Sequence, residues 1–299
     1  NECADIYNSL LVNGSYVNKD FKNDNLNLFI DFMERFDHGF KEIAGCSLLY
    51  LKIILDKNND SDYTRLKNIF INNSFKFSSS FNSNLGLTLM EYCNRSIMNG
   101  KTDFVKEMYE VSLYVFENSL LMNDKGGYLN PNVFNQLVST ACSLKKFEWV
   151  KHFIKDNIEK IHPEYRDKFY NFAFVTLNFK MKKYSEAMEY VSKMEVKSAM
   201  DHVSVKRYQL MIYYESGYTD ELYSLIEAFR SFISKNKKLT ESVKLQAGNF
   251  IYFIKKLSDV KFRYHSVDKL TIAKLNSELI ESEVINKVWL LEKIQELNN

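Results

Sequence analysis

The feature that most constrains this chain is a quasi-repeat with a step of about 35 residues. Residues 182–194 (KKYSEAMEYVSKM) align with residues 217–229 (GYTDELYSLIEAF) at a step of 35, and residues 145–154 (KKFEWVKHFI) align with residues 182–191 at a step of 37. The aligned apolar pairs at the step of 35 are Ala187 with Leu222, Val191 with Ile226, and Met194 with Phe229. A period in this range is typical of stacked helix pairs, so the repeat predicts an all-α solenoid.

Composition supports the same class. The 299 residues include only two prolines and nine glycines, so the chain lacks the turn residues that a sandwich or barrel of short strands needs. With 45% apolar residues the chain can also bury a substantial core. We therefore expect a folded domain in which strands are rare or absent.

Apolar residues recur at helical spacing along most of the chain, and they predict antiparallel helix pairs. Pro131 and Pro163 each stand where a helix is predicted to begin, a position that tolerates proline because its N–H would be unpaired there. The clearest predicted pairs are residues 131–144 with 147–161, 172–179 with 184–194, and 203–216 with 219–234.

Towards both ends the pattern is weaker. Residues 75–83 are predicted to be a connecting loop. The other predicted helices are residues 42–56, 63–72, 85–98, 103–121, 241–257, 267–280 and 284–297. We expect one repeat domain over residues 41–299, clearest over 130–235 and capped by 260–299, with residues 1–40 an uncertain segment or cap, because terminal repeats are atypical.

The 35-residue units resemble tetratricopeptide repeats. The residues that carry the resemblance in the best unit are Phe174, Val175, Tyr184, Ala187, Val191 and Met194. The unit departs from the family pattern at Asn178, where an aromatic residue is usual, and at Ala199, where proline often closes the unit; Val175 and Leu210 stand where the family favours glycine. The resemblance implies a right-handed α-α superhelix with a concave groove. Residues 170–257 are also similar to divergent helical-repeat proteins of Bacteroidota that carry no assigned activity.

The sequence offers little for catalysis. Four cysteines lie far apart without a CxxC pair, five histidines are dispersed, and no phosphate-binding glycine loop or nucleophile elbow occurs. The cysteines are Cys3, Cys46, Cys93 and Cys142. We therefore expect no enzyme activity, no metal and no cofactor.

If the first helix of each pair lines the concave side, the register places polar and aromatic side chains on that wall. Amides can satisfy the backbone of an extended peptide, and aromatic rings can hold its side chains. The candidates are Asn132, Asn135, Ser139, Thr176, Lys180, Arg207, Met211 and Tyr214. The alternative is that these are only exposed positions of inner helices.

The charge pattern supports a second interpretation. The formal net charge is only +2, yet residues 235–274 contain ten basic and three acidic side chains, which suits an acidic partner or nucleic acid. The candidate basic patch consists of Lys235, Lys237, Lys238, Lys255, Lys256, Lys261 and Arg263. A solvated surface explains the same residues without a ligand.

Together these observations predict a non-catalytic scaffold that binds a peptide or protein partner in a concave groove. A nucleic-acid-binding regulator and a structural subunit of a larger assembly are the alternatives. No apolar stretch is long enough to span a membrane, so we expect a cytoplasmic protein. The start at Asn1 leaves open a removed leader or a further N-terminal domain, and the oligomeric state is left open too.

Overall fold

The computed structural model describes residues 46, 49–50, 52–53, 59–74, 77–123, 127–263 and 269–297. The chain divides into two compact units, Asn1–Tyr92 and Cys93–Asn299. The sequence predicts one domain over residues 41–299 and no boundary at Tyr92. That single domain stays a prediction.

Twelve helices make up most of the described residues, which confirms the all-α class. The only extended pairing in this part of the chain joins β1 (Met122–Asn123) and β2 (Tyr128–Leu129), which are antiparallel and two residues long each. The helices are α1 (Asp60–Asn73), α2 (Ser79–Met98), α3 (Phe104–Glu117), α4 (Pro131–Ser143), α5 (Phe147–Asn157), α6 (Pro163–Lys180), α7 (Tyr184–Ser192), α8 (Ala199–Ser216), α9 (Thr219–Lys235), α10 (Glu241–Phe262), α11 (Lys269–Glu281) and α12 (Lys287–Leu297).

The first unit contains α1 and most of α2. Asn59 caps α1, because its side-chain oxygen accepts a hydrogen bond from the backbone N–H of Asp62 at 3.1 Å. The ring of Tyr63 on α1 stacks on that of Tyr92 on α2 with centroids 4.8 Å apart, and the Tyr92 hydroxyl donates to Asp60 at 2.6 Å. These contacts fix the two helices side by side.

In the second unit, helices that follow one another along the chain pack together from α3 to α10. Alternate helices also meet, since α4 contacts α6 and α8 contacts α10. The last helix, α12, packs on both α10 and α11. First helices of successive pairs therefore lie beside each other in at least two places.

The turn inside each pair has the same backbone geometry three times. Lys145, Lys182 and Gly217 all have a positive φ, of 58°, 61° and 76°. The residue after each of them donates its backbone N–H to a carbonyl five residues earlier, at 2.8–3.1 Å. This is the left-handed helix ending that glycine normally provides, and it recurs at the steps of 37 and 35 residues found in the sequence.

The aligned apolar positions all lie in the core. The six side chains that align at the step of 35 are each at most 8% exposed. Val150 on α5, which aligns with Ala187 on α7, is fully buried. The sequence repeat is therefore a repeat of backbone turn and of buried contact.

Most predicted helices are confirmed to within a few residues, and both prolines begin helices as expected. The loop predicted over residues 75–83 is wrong in its second half, because α2 begins at Ser79. The physical reason is a cap: Ser78 Oγ accepts a hydrogen bond from the backbone N–H of Phe81 at 3.2 Å. The helix predicted over residues 42–56 lies mostly outside the described residues.

Candidate functional site

The wall predicted from the register is formed by α4, α6 and α8, and its two ends differ. Asn132 and Ser139 on α4 are exposed and Asn135 is half-buried. Thr176 on α6 is buried, whereas Arg207 on α8 is half-buried. The structure thus leaves accessible surface along α4 and, in part, at the middle of α8.

The other end of the wall is covered. Met211 and Tyr214 on α8 are 2% and 1% exposed, so neither offers a surface to a partner in this structure. Lys180 at the end of α6 is half-buried, and its Nζ lies 3.7 Å from Oε1 of Glu292 on α12. Tyr214, through its contact with Trp289, and Lys180 therefore lie in or beside the packing of the C-terminal helix, and Met211 lies in the core.

Trp289 is the main apolar anchor of α12. Its ring is 3% exposed and contacts Phe179 on α6, Tyr214 on α8 and Phe250 on α10, with centroids 5.4–6.4 Å apart. Its indole Nε1–H donates to Glu215 Oε1 at 2.9 Å, which satisfies the polar atom of a buried tryptophan. One side chain thus ties α12 to three other helices.

A buried ion pair strengthens the same attachment. Lys293 on α12 is 5% exposed, and its Nζ lies 2.7 Å from carboxylate oxygens of both Glu215 and Glu296. Burial alone would lower the pKa of Lys293, but the hydrogen bonds to these two carboxylates outweigh it and hold the pKa above its ordinary value. The lysine therefore stays charged, and breaking the pair would leave a buried charge uncompensated.

Sequence reasoning missed the role of α12, which it predicted only as part of the cap. The sequence feature that could have indicated this role was Trp289, which lies with Lys293 on one predicted amphipathic helix. That signal was weak, because it does not say which surface the tryptophan covers.

A cleft of roughly 510 Å³ lies beside α12, within the usual range for ligand pockets of ~300–1,000 Å³. Its walls come from the α2–α3 turn, the end of α4, and the helices α11 and α12. Lining side chains are apolar on one part and polar on the other, and Glu292 is the one charged residue among them. The residues are Asn99, Gly100, Thr102, Val105, Ser143, Leu144, Asn276, Ile280, Val288, Leu291, Glu292 and Gln295. None of the sequence-based site predictions includes this cleft.

Two half-buried side chains of the wall each carry a polar atom that makes no hydrogen bond. Asn135 Oδ1 and Arg207 Nε are both buried atoms without a hydrogen-bond partner among the described residues. Nearby, the hydroxyls of Thr176 and Tyr208 share a hydrogen bond at 2.8 Å, and the Arg207 guanidinium lies 5.0 Å from the Tyr208 ring centroid. Buried polar groups are usually paired in native proteins, so these two atoms are exceptions to that rule on the predicted wall.

The residues of the candidate basic patch are not brought together. Lys255 lies 4.0 Å from Glu227, and Tyr223 donates to Asp259 at 2.7 Å, so the end of α10 lies beside the start of α9. The lysines at positions 235, 237 and 238 are at the opposite end of this helix pair. Since α10 has 22 residues, the two groups are roughly 30 Å apart.

Several cations of the C-terminal group have partners within the chain. Arg263 lies 3.6 Å from Asp259 and stacks over Tyr223 at 3.8 Å. The Lys261 ammonium lies 3.3 Å from the Tyr214 carbonyl, and burial lowers the pKa of this lysine. The positive surface is therefore smaller than the sequence count indicates.

The cysteines resolved by the structure are unsuited to nucleophilic chemistry. Cys46, Cys93 and Cys142 are buried, and none of the three is in a disulfide. Burial raises the pKa of Cys46 and of Cys142 to about 12, so both remain protonated thiols at neutral pH. Cys3 lies outside the described residues.

Over the described ranges, no three His, Cys, Asp or Glu side chains are grouped so as to hold a metal ion. In the same part of the chain, every helix is too short or too polar to cross a membrane.

Comparison with known proteins adds no relative. No family model, no curated protein and no solved structure matches the chain. Function must therefore be argued from the chain's own surfaces.

Proposed function

We propose that this protein is a non-catalytic scaffold whose helix pairs stack as a right-handed, TPR-like solenoid and bind a peptide or protein partner on the wall of α4, α6 and α8. The recurrence of the left-handed turn at Lys145, Lys182 and Gly217 supports the stacking. Equal turns give successive pairs similar angles, which is how repeat proteins build an extended surface.

One observation carries the placement of the partner: Asn135 Oδ1 and Arg207 Nε are buried and unpaired, and they belong to half-buried side chains of the wall. An unpaired buried polar atom costs about 1–3 kcal/mol, which a ligand group of the right polarity would recover. An amide oxygen accepts from a peptide N–H, and a guanidinium donates to a peptide carbonyl or a carboxylate. The proposed partner surface therefore lies around Asn135 and Arg207 on the wall.

The nucleic-acid alternative has less support, because it needs one continuous basic surface. The two lysine groups at opposite ends of the α9–α10 pair would each contact nucleic acid separately. Such binding would be weak and would fall steeply with salt.

The test is capture of a partner from lysate by the immobilised protein at low and moderate salt. The double variant Asn135→Ala, Arg207→Ala should lose a defined protein partner that the native chain retains at both salt concentrations. A matched control, Asn94→Ala with Arg230→Ala, removes the same residue types from exposed positions elsewhere and should retain the partner. Equal capture by all three proteins would refute this placement of the site, and material that stains as nucleic acid and is lost at moderate salt would favour the alternative.

A further inference from the structure

The cleft beside α12 has both polar and apolar lining residues, which is a property of binding sites. Asn99, Thr102, Asn276 and Gln295 all line one space of roughly 510 Å³, and none of these four side chains has a hydrogen-bond partner in the described part of the chain. Asn276 is half-buried and lacks full access to water, whereas Asn99, Thr102 and Gln295 are exposed. A few polar groups beside apolar ones in one cleft are typical of a binding site.

The electrostatics of the cleft favour a cation. Glu292 supplies its only charge among the lining residues, and its side chain is 47% exposed. Among the described residues it pairs with Lys180, whose Nζ lies 3.7 Å away, which is longer than the 2.7–2.9 Å of a charge-assisted hydrogen bond. The carboxylate therefore keeps capacity for a second positively charged group.

Helix ends add to this preference. Ser143 ends α4, Ile280 is the last but one residue of α11, and Asn99 directly follows α2; all three line the cleft, and the C-terminal end of a helix carries partial negative charge. An ammonium group of the chain already uses this chemistry next to the cleft: Lys287 Nζ donates to the carbonyls of Met98 and Ile280. A ligand ammonium at the end of α4 would meet a similar environment.

We propose that this cleft binds an extended peptide segment carrying a lysine or arginine side chain. The aliphatic stem of that side chain lies against the apolar lining of Leu144, Val288 and Leu291, and its charged end pairs with Glu292. The amides of Asn276 and Gln295 pair with peptide N–H and C=O groups, because each offers both a donor and an acceptor. A free polyamine has no acceptor for the amide N–H groups, so the peptide is the better match.

The cleft is separate from the Asn135 and Arg207 surface, and this inference does not depend on the function proposed above. The test uses defined probes: blocked tripeptides Leu-Lys-Leu, Leu-Gln-Leu and Leu-Glu-Leu, and spermidine. Binding is followed by NMR titration, in which the side-chain amide signals of Asn99, Asn276 and Gln295 report on the cleft directly.

For the native chain we expect Leu-Lys-Leu to bind about tenfold or more tightly than Leu-Gln-Leu, as a charge-assisted hydrogen bond requires. Glu292→Gln should remove that difference, and Glu292→Lys should reverse it in favour of Leu-Glu-Leu. The control Glu189→Gln makes the same change of net charge at an exposed position on α7 and should leave the preference intact.

Asn276→Ala provides a second variant that leaves the carboxylate in place. It should weaken all three peptides while preserving their order. Equal binding of the lysine and glutamine peptides, an effect of Glu189→Gln equal to that of Glu292→Gln, or no shift of the three amide signals would overturn the proposal. Spermidine binding as tightly as Leu-Lys-Leu would overturn the assignment to a peptide.

Discussion

At the scale of single residues, the left-handed turn is the feature that the repeat depends on. Gly217 takes this conformation without strain, whereas Lys145 and Lys182 take it with a side chain attached. For a residue with a Cβ, left-handed backbone costs roughly 1–2 kcal/mol. The two lysines thus show that the turn is imposed by the packing of the helices on either side.

Gly217→Ala should lower the free energy of unfolding by about 1 kcal/mol, because no atom lies within 4 Å of the added Cβ and only the backbone conformation is strained. Lys182→Gly should do the opposite and raise it by a fraction of that amount, since glycine also adds entropy to the unfolded chain. Urea unfolding of both variants measures the effect.

The matched control for the second change is Lys183→Gly. Lys183 is an exposed neighbour with a φ of −90°, so glycine relieves no strain there and should only destabilise. If Lys182→Gly and Lys183→Gly lowered stability equally, the left-handed turn would carry no strain and the argument from packing would fail.

These residues also show what the sequence could and could not predict. The aligned lysines and glycine predicted the correct positions of the turns, because equivalent positions of a repeat have the same backbone conformation. The unpaired Asn135 and Arg207 atoms were predicted only as wall residues. Whether a buried polar atom finds a partner depends on side chains from other helices, and the periodicity of one helix does not contain that information.

At the scale of elements, the N-terminal cap of α8 depends on the ionised carboxylate of Asp201, so its contribution to stability depends on pH. Asp201 is 5% exposed, accepts hydrogen bonds from the backbone N–H groups of Lys197 and Ser198, and pairs with Lys168 at 2.6 Å. Burial would raise the pKa of Asp201, but the hydrogen bonds from Lys168 and Ser198 outweigh it and lower the pKa below its ordinary value. The ionised carboxylate therefore stabilises the start of the helix.

Because the folded pKa lies below the unfolded value of about 3.9, this stabilisation is present above about pH 4 and is lost as the pH falls through the folded pKa. Asp201→Asn should lower the free energy of unfolding by about 1–2 kcal/mol at pH 7 and by much less near pH 2. Urea unfolding across that pH range measures the difference. Asp220→Asn, an exposed position in the first turn of α9, is the control; the same pH dependence in both variants would contradict the role given to Asp201.

The elements themselves were largely predictable, and their exceptions have physical causes. Pro131 and Pro163 marked helix starts because proline suits the first turn. The start of α2 was missed because the serines around it resemble a loop, whereas Ser78 acts as a cap.

At the scale of the whole molecule, the arrangement that matters is in the second unit, where α12 covers the ends of α6 and α8 and leaves part of the wall accessible. The sequence could not predict this arrangement. Trp289 meets Phe179, which lies 110 positions earlier, and such a contact leaves no trace in a local repeat. Both proposals depend on it, since docking of α12 forms the cleft and leaves the part of the wall around Asn135 and Arg207 for the partner.

The most direct measurement is tryptophan fluorescence of the variant Trp149→Phe, which leaves Trp289 as the only tryptophan of the two in the chain. The account predicts blue-shifted emission that iodide barely quenches, because the ring is buried among three helices. Glu215→Ala should partly expose the ring, since it removes the acceptor of the indole N–H and the partner of Lys293. Emission at the wavelength of exposed tryptophan with free quenching in the variant Trp149→Phe would show that α12 does not cover the wall, and would contradict the account.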